Sequence, residues 1–536
     1  MGIAIVSLST PTLIVGLLFS LVLYIVYQRY WHPLARYPGP FLASLTNLWE
    51  AWYWIPGQTP YRLAKLHAEY GPFVRYGPNK ISTVSTEAIQ AIYIKGAKNL
   101  VKTNWYTPFG HPQFPNVFNE RDPEAHAVRR RLLLKTFSPQ IVETYEPIIK
   151  VHVNRLREHI GTHCDRPQTL NLSKAIYACV CDIIGDLFLS HDYNVQHSGE
   201  LHRFADDHSM SMLASVSGAW PLVQPFLNLI VLLLPHPRTW KLERWRNTLS
   251  YINEVRDRIY QRLKQSSDGQ PKRRKDALLR LLETVYYPTE KSEETMSMDQ
   301  LVAEVFAFLV AGIHPPSASL NVLFWHLLHN PKVMKGVAQE IDEHLLTVSS
   351  FEEGFTSAQV DACLPFLKAC MKESFRLTPV FSQPLPRYVV DREGLRVGNE
   401  VLPQGASLKT SVAVCNHAFH HASGVWGIDS VEFKPSRWQD RHTDALDTNK
   451  YLMHFSAGSR QCIGKALALT IMNMVASAIL AEFDFELADP TEQGRAENGS
   501  FVGKLPAQYS VGISDLTQSV LVNVTKRTQH SDSGRN

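Results

Sequence analysis

The sequence predicts a mainly α-helical protein with small β-sheets, preceded by one N-terminal transmembrane helix. An uncharged, apolar run over residues 3–27 predicts the transmembrane helix. Apolar residues recur at helical spacing over residues 299–328, 362–377 and 465–483, and the prolines at 315 and 316 are expected to interrupt the first of these helices. The β-like runs are short, and they lie at residues 73–76, 80–85, 389–397 and 407–412.

The run over residues 3–27 is long enough to cross a bilayer, because about 20 apolar helical residues span the hydrocarbon core. Arg29 and Arg36 follow it, with Tyr30 and Trp31 as interfacial aromatic residues, and no Lys or Arg precedes it. The positive-inside rule therefore predicts a signal anchor with the following chain in the cytosol. The alternative is a cleaved signal peptide, but the sequence has neither a basic n-region nor a small-x-small cleavage site.

The rest of the chain predicts one large domain. Residues 28–40 are basic and end in Tyr37-Pro-Gly-Pro40, which predicts a stiff hinge because proline fixes φ and restricts the preceding residue. Residues 41–520 contain no repeat and no long linker, and form the predicted domain. Residues 521–536 are expected to form a disordered tail.

Composition excludes several classes of function. The net charge of +4 and the pI near 8.5 are too mild over 536 residues for a nucleic-acid-binding protein. The seven cysteines form no CxxC pair, which argues against a zinc knuckle or a disulfide framework and favours a reducing compartment. Hydrophobic residues make up 45% of the chain, enough to bury a large core.

One cysteine stands in a specific pattern, Phe-x-x-Gly-x-Arg-x-Cys-x-Gly, formed by Phe455, Gly458, Arg460, Cys462 and Gly464. The glycines allow tight turns and the close approach of a flat ligand. Cationic side chains and backbone amides near a cysteine stabilise its thiolate. A buried, inert cysteine is the commonest alternative, but five matched positions at fixed spacing favour a metal-binding thiolate.

With this loop the chain resembles the cytochrome P450 superfamily, and within it the fungal microsomal (class II) haem-thiolate monooxygenases. The resemblance runs from the apolar N-terminus and the Pro-Gly-Pro hinge to the apolar helix after Cys462. It implies the cytochrome P450 fold for residues 41–520, haem b as the cofactor and Cys462 as the iron's axial ligand. It also implies an endoplasmic reticulum membrane protein with a single pass and a cytosolic catalytic domain.

Two further motifs carry the resemblance. Glu373-Ser-Phe-Arg376 matches the family's Glu-x-x-Arg, and Phe433-Lys-Pro-Ser-Arg-Trp438 resembles its Phe-x-Pro-x-Arg-Phe/Trp. A Glu–Arg pair at this spacing is by itself a common surface salt bridge. The resemblance instead implies that Glu373, Arg376 and Arg437 form a buried structural network.

The family holds the haem propionates with a Trp-x-x-x-Arg motif and with arginines elsewhere. The resemblance implies four such contacts, from His126, which takes the tryptophan position, and from Arg130, Arg387 and Arg460. Arginine suits this task because its guanidinium pairs with a carboxylate through two hydrogen bonds. Arg129 and Arg131 are the competing candidates within their segment, with surface positions as the alternative.

The oxygen-activating motif of the family is altered. The matching run is Ala311-Gly-Ile-His-Pro-Pro-Ser317, in which His314 takes the position of the acid and Pro315 that of the threonine. The prolines lack N–H groups, so the carbonyls of two preceding residues lose their helical donors, and a kink that holds a water is expected. The catalytic candidates are Gly312, His314, Pro315 and Ser317.

Three types of reaction remain open. Protons could reach oxygen through a water near His314 or Ser317, which would give an ordinary monooxygenase. The enzyme could couple or desaturate its substrate without inserting oxygen. It could also rearrange a bound peroxide without external electrons. For His314, the alternative to all three is a side chain turned away from the haem.

Several segments are expected to face the substrate. The resemblance implies this for Trp105, Phe109 and Phe114 in the loop 104–119, for Leu309 and Ile313 in the oxygen-activating helix, and for Phe381, Ser382, Phe501 and Val502. Most of these side chains are apolar, so the ligand is expected to be apolar or aromatic. For several of them, a place in the core is the alternative.

The resemblance thus predicts a monooxygenase that oxidises a lipophilic small molecule in secondary-metabolite biosynthesis. Electrons are expected from NADPH-cytochrome reductase, or from a cytochrome b-type donor, because the sequence has no Gly-x-Gly-x-x-Gly nucleotide fingerprint. The non-enzymatic rival is a haem sensor on the same fold, supported only by the altered run 311–317.

Overall fold

The computed structural model describes residues 10–95, 100–111, 113–164, 168–199, 208–220, 242–267, 275–286, 294–345, 347, 354–405, 409–439, 448–489, 491 and 505–527. The α-helices of these residues are α1 (Thr10–Val26), α2 (Phe41–Leu45), α3 (Leu48–Trp54), α4 (Thr59–Tyr70), α5 (Thr86–Ala88), α6 (Pro123–Phe137), α7 (Pro139–Glu143), α8 (Glu146–Cys164), α9 (Leu172–Leu189), α10 (Val195–Ser198), α11 (His208–Ala219), α12 (Leu242–Ser267), α13 (Ala277–Leu281), α14 (Met298–Leu328), α15 (Pro331–Glu340), α16 (Ser357–Cys363), α17 (Pro365–Leu377), α18 (Asn416–His421), α19 (Ser423–Trp426) and α20 (Lys465–Glu482). The fold is mainly helical, as predicted.

The strands are short and form small sheets. They are β1 (Phe73–Gly77), β2 (Lys80–Thr83), β3 (Leu100–Lys102), β4 (Leu170–Asn171), β5 (Arg387–Val389), β6 (Leu395–Val397), β7 (Glu400–Leu402), β8 (Ser411–Val414), β9 (Phe483–Leu487), β10 (Gln508–Val511), β11 (Ile513–Leu516) and β12 (Leu521–Lys526). A five-stranded sheet has the order β1-β2-β8-β5-β3, and a three-stranded sheet has the order β4-β12-β9. Two hairpins, β6-β7 and β10-β11, complete the described sheets.

Helix α1 stands outside the core. With the π-helical turn Tyr27–Trp31 it forms an apolar helix of 22 residues, whose most apolar stretch has no buried residue. Helices α14 and α20 are also long and apolar enough to cross a membrane, but 56% and 72% of their apolar stretches are buried. Among the described residues, α1 is therefore the candidate membrane anchor. Residues 3–9 of the predicted anchor lie outside the described residues.

The predicted hinge packs against the domain. The guanidinium of Arg75 in β1 donates to the backbone and the side-chain oxygens of Gln28 at 2.9 and 2.7 Å, and both residues are buried. A Cβ atom on Gly39 would lie 2.1 Å from the carbonyl oxygen of Arg75, so only glycine permits this approach. These contacts attach residues 28–40 to the first sheet.

Helix α14 crosses the core and packs against α9, α12, α17, α20 and β11. Its N-terminus is set by a capping box in which the side chains of Ser297 and Gln300 bind each other's backbone N–H groups. The predicted interruption at residues 315 and 316 is wrong, because the helix is continuous from Met298 to Leu328. The φ angle of proline suits a helix, so each proline removes a hydrogen bond without ending α14.

The expectation of a disordered tail from residue 521 is wrong for its first part. Residues Leu521–Lys526 form β12, which pairs with β9 from Val522↔Leu487 to Lys526↔Phe483. Val522 and Val524 alternate with exposed residues and are buried, so the strand covers the core with one face. Residues 528–536 lie outside the described part of the chain.

Candidate active site

The cysteine loop is held by backbone contacts directly before α20. The N–H of Cys462 donates to the carbonyl of Phe455 at 2.9 Å. Gly458 has φ +68°, and a Cβ atom on it would lie 1.9 Å from the carbonyl oxygen of Tyr93. Only glycine therefore fits at residue 458, where the loop packs against the backbone of Tyr93.

Cys462 is the exposed cysteine among the seven, all of which lie in the described residues. Surrounding protein raises the pKa of its thiol, while a hydrogen bond from the Gly464 backbone and the charges of Arg130 and Lys465 act in the opposite direction. The thiol is thus accessible and also surrounded by groups that stabilise a thiolate. Because the net shift raises the pKa, the free cysteine favours its thiol form, and the three opposing groups would stabilise the thiolate that forms when a metal ion is bound.

Four basic side chains lie near this loop, and each donates a hydrogen bond to a neutral oxygen atom. Arg387 donates to the Tyr106 hydroxyl at 2.6 Å, and Arg460 donates to the Glu120 carbonyl at 2.7 Å. The further contacts are Arg130 to the Gln461 carbonyl at 2.7 Å and Lys102 to the Phe118 carbonyl. Among the described residues, no carboxylate lies within the 4 Å of an ion pair from any of the four.

Burial and mutual repulsion act on this cluster. Burial and the charges of Arg387 and Arg460 lower the pKa of Lys102 well below its usual range. Burial and the same surrounding cations lower the pKa of His126 to about 2, which leaves its imidazole neutral. Two carboxylates placed among these groups would relieve the repulsion.

Sequence reasoning missed Lys102. The lysine ends β3, whose first and last residues are buried on one face, and its ammonium lies 4.7 Å from the ring centroid of Tyr106. A lysine at a buried alternating position of a short strand is the signal that was available.

The carboxylate of Glu373 lies at the centre of a buried network. Arg376 donates to both of its oxygens at 2.9 and 2.8 Å, and neither side chain is exposed. Arg437 and the Trp438 indole also donate to it, at 3.3 and 2.9 Å. The remaining guanidinium donors of Arg376 bind carbonyls, including that of His420 at 2.8 Å. The network connects α17, α18 and the segment around Pro435–Trp438.

Helix α14 has one accessible face. Val310 and Ala311 are exposed, and Gly312, His314 and Pro315 are partly exposed, whereas residues 308–309 before them and 316–320 after them are buried. Because Pro315 and Pro316 have no N–H, the carbonyls of Ala311 and Gly312 lack helical donors on this stretch of α14. The helix therefore presents polar acceptors at an otherwise apolar face.

The structure separates the two polar catalytic candidates of α14. Ser317 is buried, and its hydroxyl donates to the Ile313 carbonyl of its own helix at 2.7 Å. His314 is about one-sixth exposed and contacts Asp515 of β11 through Nε2. Its ring also meets the edge of Tyr177 in α9, with a centroid distance of 6.3 Å.

Comparison with known families agrees with this geometry. The family model described as cytochrome P450 matches residues 38–513, which is most of the chain. The chain belongs to the cytochrome P450 family. Members of this family are oxidoreductases that bind haem iron through a cysteine thiolate.

Curated relatives of this P450 are fungal proteins of similar length. It is 28% identical to the cytochrome P450 monooxygenase gsfF of Penicillium aethiopicum, over 92% of this chain and 97% of the relative. It is 27% identical to the monooxygenase hkm5 of Aspergillus hancockii, over 91% and 92%, and 26% identical to a pisatin demethylase of Fusarium vanettenii, over 87% and 86%.

The residues of this P450 fit the family's cofactor. The exposed Cys462 would supply the thiolate ligand for iron, and haem carries two propionate carboxylates, the groups that the four cations lack. Arg130 joins the two features, because it donates to the cysteine loop and its charge acts on Cys462.

The predicted substrate-facing residues divide into two groups. Phe109, Phe114 and Phe381 are partly exposed, whereas Leu309 and Ile313 are buried among neighbouring side chains, and contact of any of them with a substrate stays a prediction. Because α14 is apolar on several sides, the sequence pattern alone could not identify its accessible face.

Trp105 and Ser382 are also buried, and their contact with a substrate stays a prediction. Trp105 is buried and stacks on Trp54 of α3, with ring centroids 5.9 Å apart. The hydroxyl of Ser382 lies 2.6 Å from the hydroxyls of both Ser510 and Ser514, in the β10-β11 hairpin. Phe501 and Val502 lie outside the described residues.

Arg129 is buried, against the surface position considered for it. It donates to Glu304 of α14 at 2.7 Å, and the other oxygen of Glu304 accepts from the Val117 N–H at 3.1 Å. Arg131, in contrast, is exposed and pairs with Glu294. The Glu304 carboxylate thus joins α14, α6 and the loop that follows Asn104–Phe109.

Replacing Glu304 with glutamine is expected to reduce the pH dependence of stability. Burial raises the pKa of Glu304 from 4.5 to about 7, despite the opposing charge of Arg129. A raised carboxyl pKa stabilises the folded state below the unfolded pKa, and this contribution is lost as the pH rises towards 7. The shift corresponds to about 3 kcal/mol. Urea unfolding at pH 5 and pH 7.5 would measure it, because the difference in the free energy of unfolding between these pH values should be smaller in the variant than in the parent protein.

Glu400→Gln is the matched control, because this carboxylate is exposed and pairs with Arg36. It should leave the pH dependence unchanged. A Glu304→Gln variant with the same pH dependence as the parent protein would contradict the assigned effect of burial.

Proposed function

We propose that this P450 is a haem b monooxygenase that oxidises a lipophilic small molecule in fungal secondary metabolism, with Cys462 as the axial ligand. The exposed residue Cys462, beside the Gly464 N–H and the charges of Arg130 and Lys465 that would stabilise its thiolate, carries the proposal. The fungal monooxygenases to which the chain is similar support the class of reaction.

The cationic cluster is proposed to hold the propionates. Arg130, Arg387 and Arg460 present charged donors, Lys102 presents a buried amine that a nearby carboxylate would help to keep protonated, and His126 supplies a neutral imidazole. Phe455, Gly458 and Gly464 fix the loop that presents the thiol. When bound, haem supplies the activation of dioxygen, and the donated electron density of a thiolate favours O–O cleavage.

On the opposite side, the accessible face of α14 is proposed to border the reacting groups. Val310 and Ala311 supply apolar surface, which favours a lipophilic substrate. The two carbonyls freed by Pro315 and Pro316, those of Ala311 and Gly312, can accept a hydrogen bond from water. Ser317 is not assigned a proton-transfer role, because its hydroxyl is directed to its own helix. His314 remains as the titratable group at this face.

The redox partner is proposed to be NADPH-cytochrome reductase in the endoplasmic reticulum membrane, with a cytochrome b-type donor as a second source. The exposed apolar helix α1 supports membrane attachment, and the charges after it favour a cytosolic domain. A shared membrane would keep the catalytic domain and its reductase on one surface.

The expected result for the purified, full-length protein is a reduced carbon-monoxide difference spectrum of the thiolate type. With reductase and NADPH it should convert candidate lipophilic substrates, and product formed under labelled dioxygen should carry the label. This combination would establish oxygen insertion.

Two outcomes would contradict the proposal at different points. A haem protein without the thiolate-type band would exclude Cys462 as the ligand. Turnover with a normal band but without label in the product would replace monooxygenation by coupling or desaturation. The same assay with NADPH omitted is the control, since activity that needs no NADPH would indicate peroxide chemistry.

A further inference from the structure

Asp515 contacts His314, the residue that takes the position of the acid in the family's motif. His314 contacts Asp515 through Nε2, although the two residues are 201 positions apart. Their side chains are about 17% and 23% exposed, so solvent reaches both. When the Asp515 carboxylate is ionised it only accepts hydrogen bonds, and the contact then selects the tautomer of His314 that carries its proton on Nε2.

The hairpin that carries Asp515 is held in place from its other face. Pairing of Tyr509 with Asp515 and of Ser510 with Ser514 puts these pairs on opposite faces of the hairpin. The hydroxyls of Ser510 and Ser514 bind Ser382, and the Ser514 N–H donates to the Val380 carbonyl at 2.7 Å. Asp515 is thereby positioned before any ligand binds.

We propose that Asp515 is a positioning residue for His314, and that the pair supplies protons at the accessible face of α14. The inference rests on the proposed monooxygenase function. Asp515 fixes the tautomer of His314, as a carboxylate does for other functional histidines. Nδ1 is then the atom that exchanges a proton with the reacting oxygen. The pair takes over from the acid and alcohol of the usual motif, and proline at residue 315 is tolerated for this reason.

The proton balance fits the reaction. Substrate C–H, dioxygen, two electrons and two protons give C–OH and water, with the electrons supplied by NADPH through the reductase. Each proton that leaves Nδ1 of His314 is replaced from solvent, which reaches the partly exposed pair. Asp515 keeps its charge throughout and stabilises the imidazolium.

The test compares Asp515→Asn, Asp515→Glu and the parent protein, reconstituted with reductase. The measured rate is NADPH-dependent dioxygen consumption without an added organic substrate, in water and in deuterium oxide. Asp515→Asn should lower the rate about tenfold or more and increase the solvent isotope effect, because proton transfer becomes limiting. Asp515→Glu should restore most of the rate. In the Asp515→Asn background, His314→Ala should cause little further loss.

Asp484→Asn is the matched control, since Asp484 lies in strand β9 and pairs with Arg527 at 3.5 Å on the surface. It should leave both rate and isotope effect unchanged. Amide exchange of residues 508–516, measured in the same preparations, provides a readout independent of activity. Exchange should be faster in Asp515→Asn than in Asp515→Glu, because the contact to α14 is lost.

The outcomes separate this inference from the proposed function. If the parent protein lacks the thiolate-type spectrum, the proposed function fails. If the spectrum and the oxygen consumption are present, an Asp515→Asn variant with the parent rate and isotope effect overturns the inference alone. Faster amide exchange with an unchanged isotope effect also overturns it, since Asp515 would then only attach the hairpin.

Discussion

Replacing Cys462 with alanine is expected to abolish the thiolate-type carbon-monoxide spectrum and all NADPH-dependent turnover. Alanine removes the sulfur that would bind iron, and with it the electron donation that favours O–O cleavage. The loop should keep its shape, because its contact to Phe455 is made by the backbone N–H of residue 462. Difference spectroscopy, haem content and circular dichroism of the purified variant would check this result.

Cys363→Ala is the matched control for this experiment. Cys363 is a free, partly buried thiol at the end of α16, and its replacement should leave spectrum and turnover intact. If Cys462→Ala kept the thiolate-type band, another cysteine would have to be the iron ligand. Loss of helical signal in the variant would instead show that the loop needs the thiol in order to fold.

Glu373→Gln is expected to destabilise the protein by about 3–5 kcal/mol, because it leaves the buried guanidinium of Arg376 without its counter-charge, whereas Arg437 keeps its ion pair with Asp429 at 3.0 Å. Glutamine keeps the size of the side chain but not its charge, while Arg376 stays fully buried and Arg437 largely so. Part of the hydrogen bonding can persist, so the lost charge dominates the effect. Urea unfolding, followed by the haem absorbance and by circular dichroism, would measure it.

The chain offers a control with the same spacing. Glu283 pairs with Arg280 three positions away, at 3.9 Å, and about one-third or more of each side chain is exposed. Glu283→Gln should change the free energy of unfolding by less than about 1 kcal/mol, as exposed pairs do. Equal effects of the two substitutions would show that burial of the Glu373 network contributes little.

Local patterns in the sequence predicted the elements that depend on local chemistry. The helical spacing of apolar residues located α14, α17 and α20 to within a few residues. The break before α17 escaped the prediction, although Pro365 stands at its first turn, the position that proline favours. Gly394, with φ +82°, explains why one predicted β-like run is divided into β5 and β6.

The candidate site could be predicted only in part. Its cysteine side is defined by short sequence motifs, whereas its α14 side depends on which parts of the fold pack together. The cysteine loop and the Glu373 network are defined by residues at fixed spacing. The accessible face of α14 depends on what packs around it, and Leu309 and Val310 look alike in the sequence although one is buried and the other exposed. The partner of His314 follows from the position of the C-terminal hairpin, which no local pattern specifies.

Strand β12 has a consequence for how the molecule is made. Its neighbour Val520 donates to the hydroxyl of Ser173, 347 positions earlier, and β12 itself pairs with β4. Contacts of such separation form late and slow the folding of a chain, so the partly folded protein exposes apolar surface for longer. Slower synthesis at low temperature therefore favours the yield of soluble protein. A purification tag is best attached beyond Arg527, where it leaves the strand pairing undisturbed.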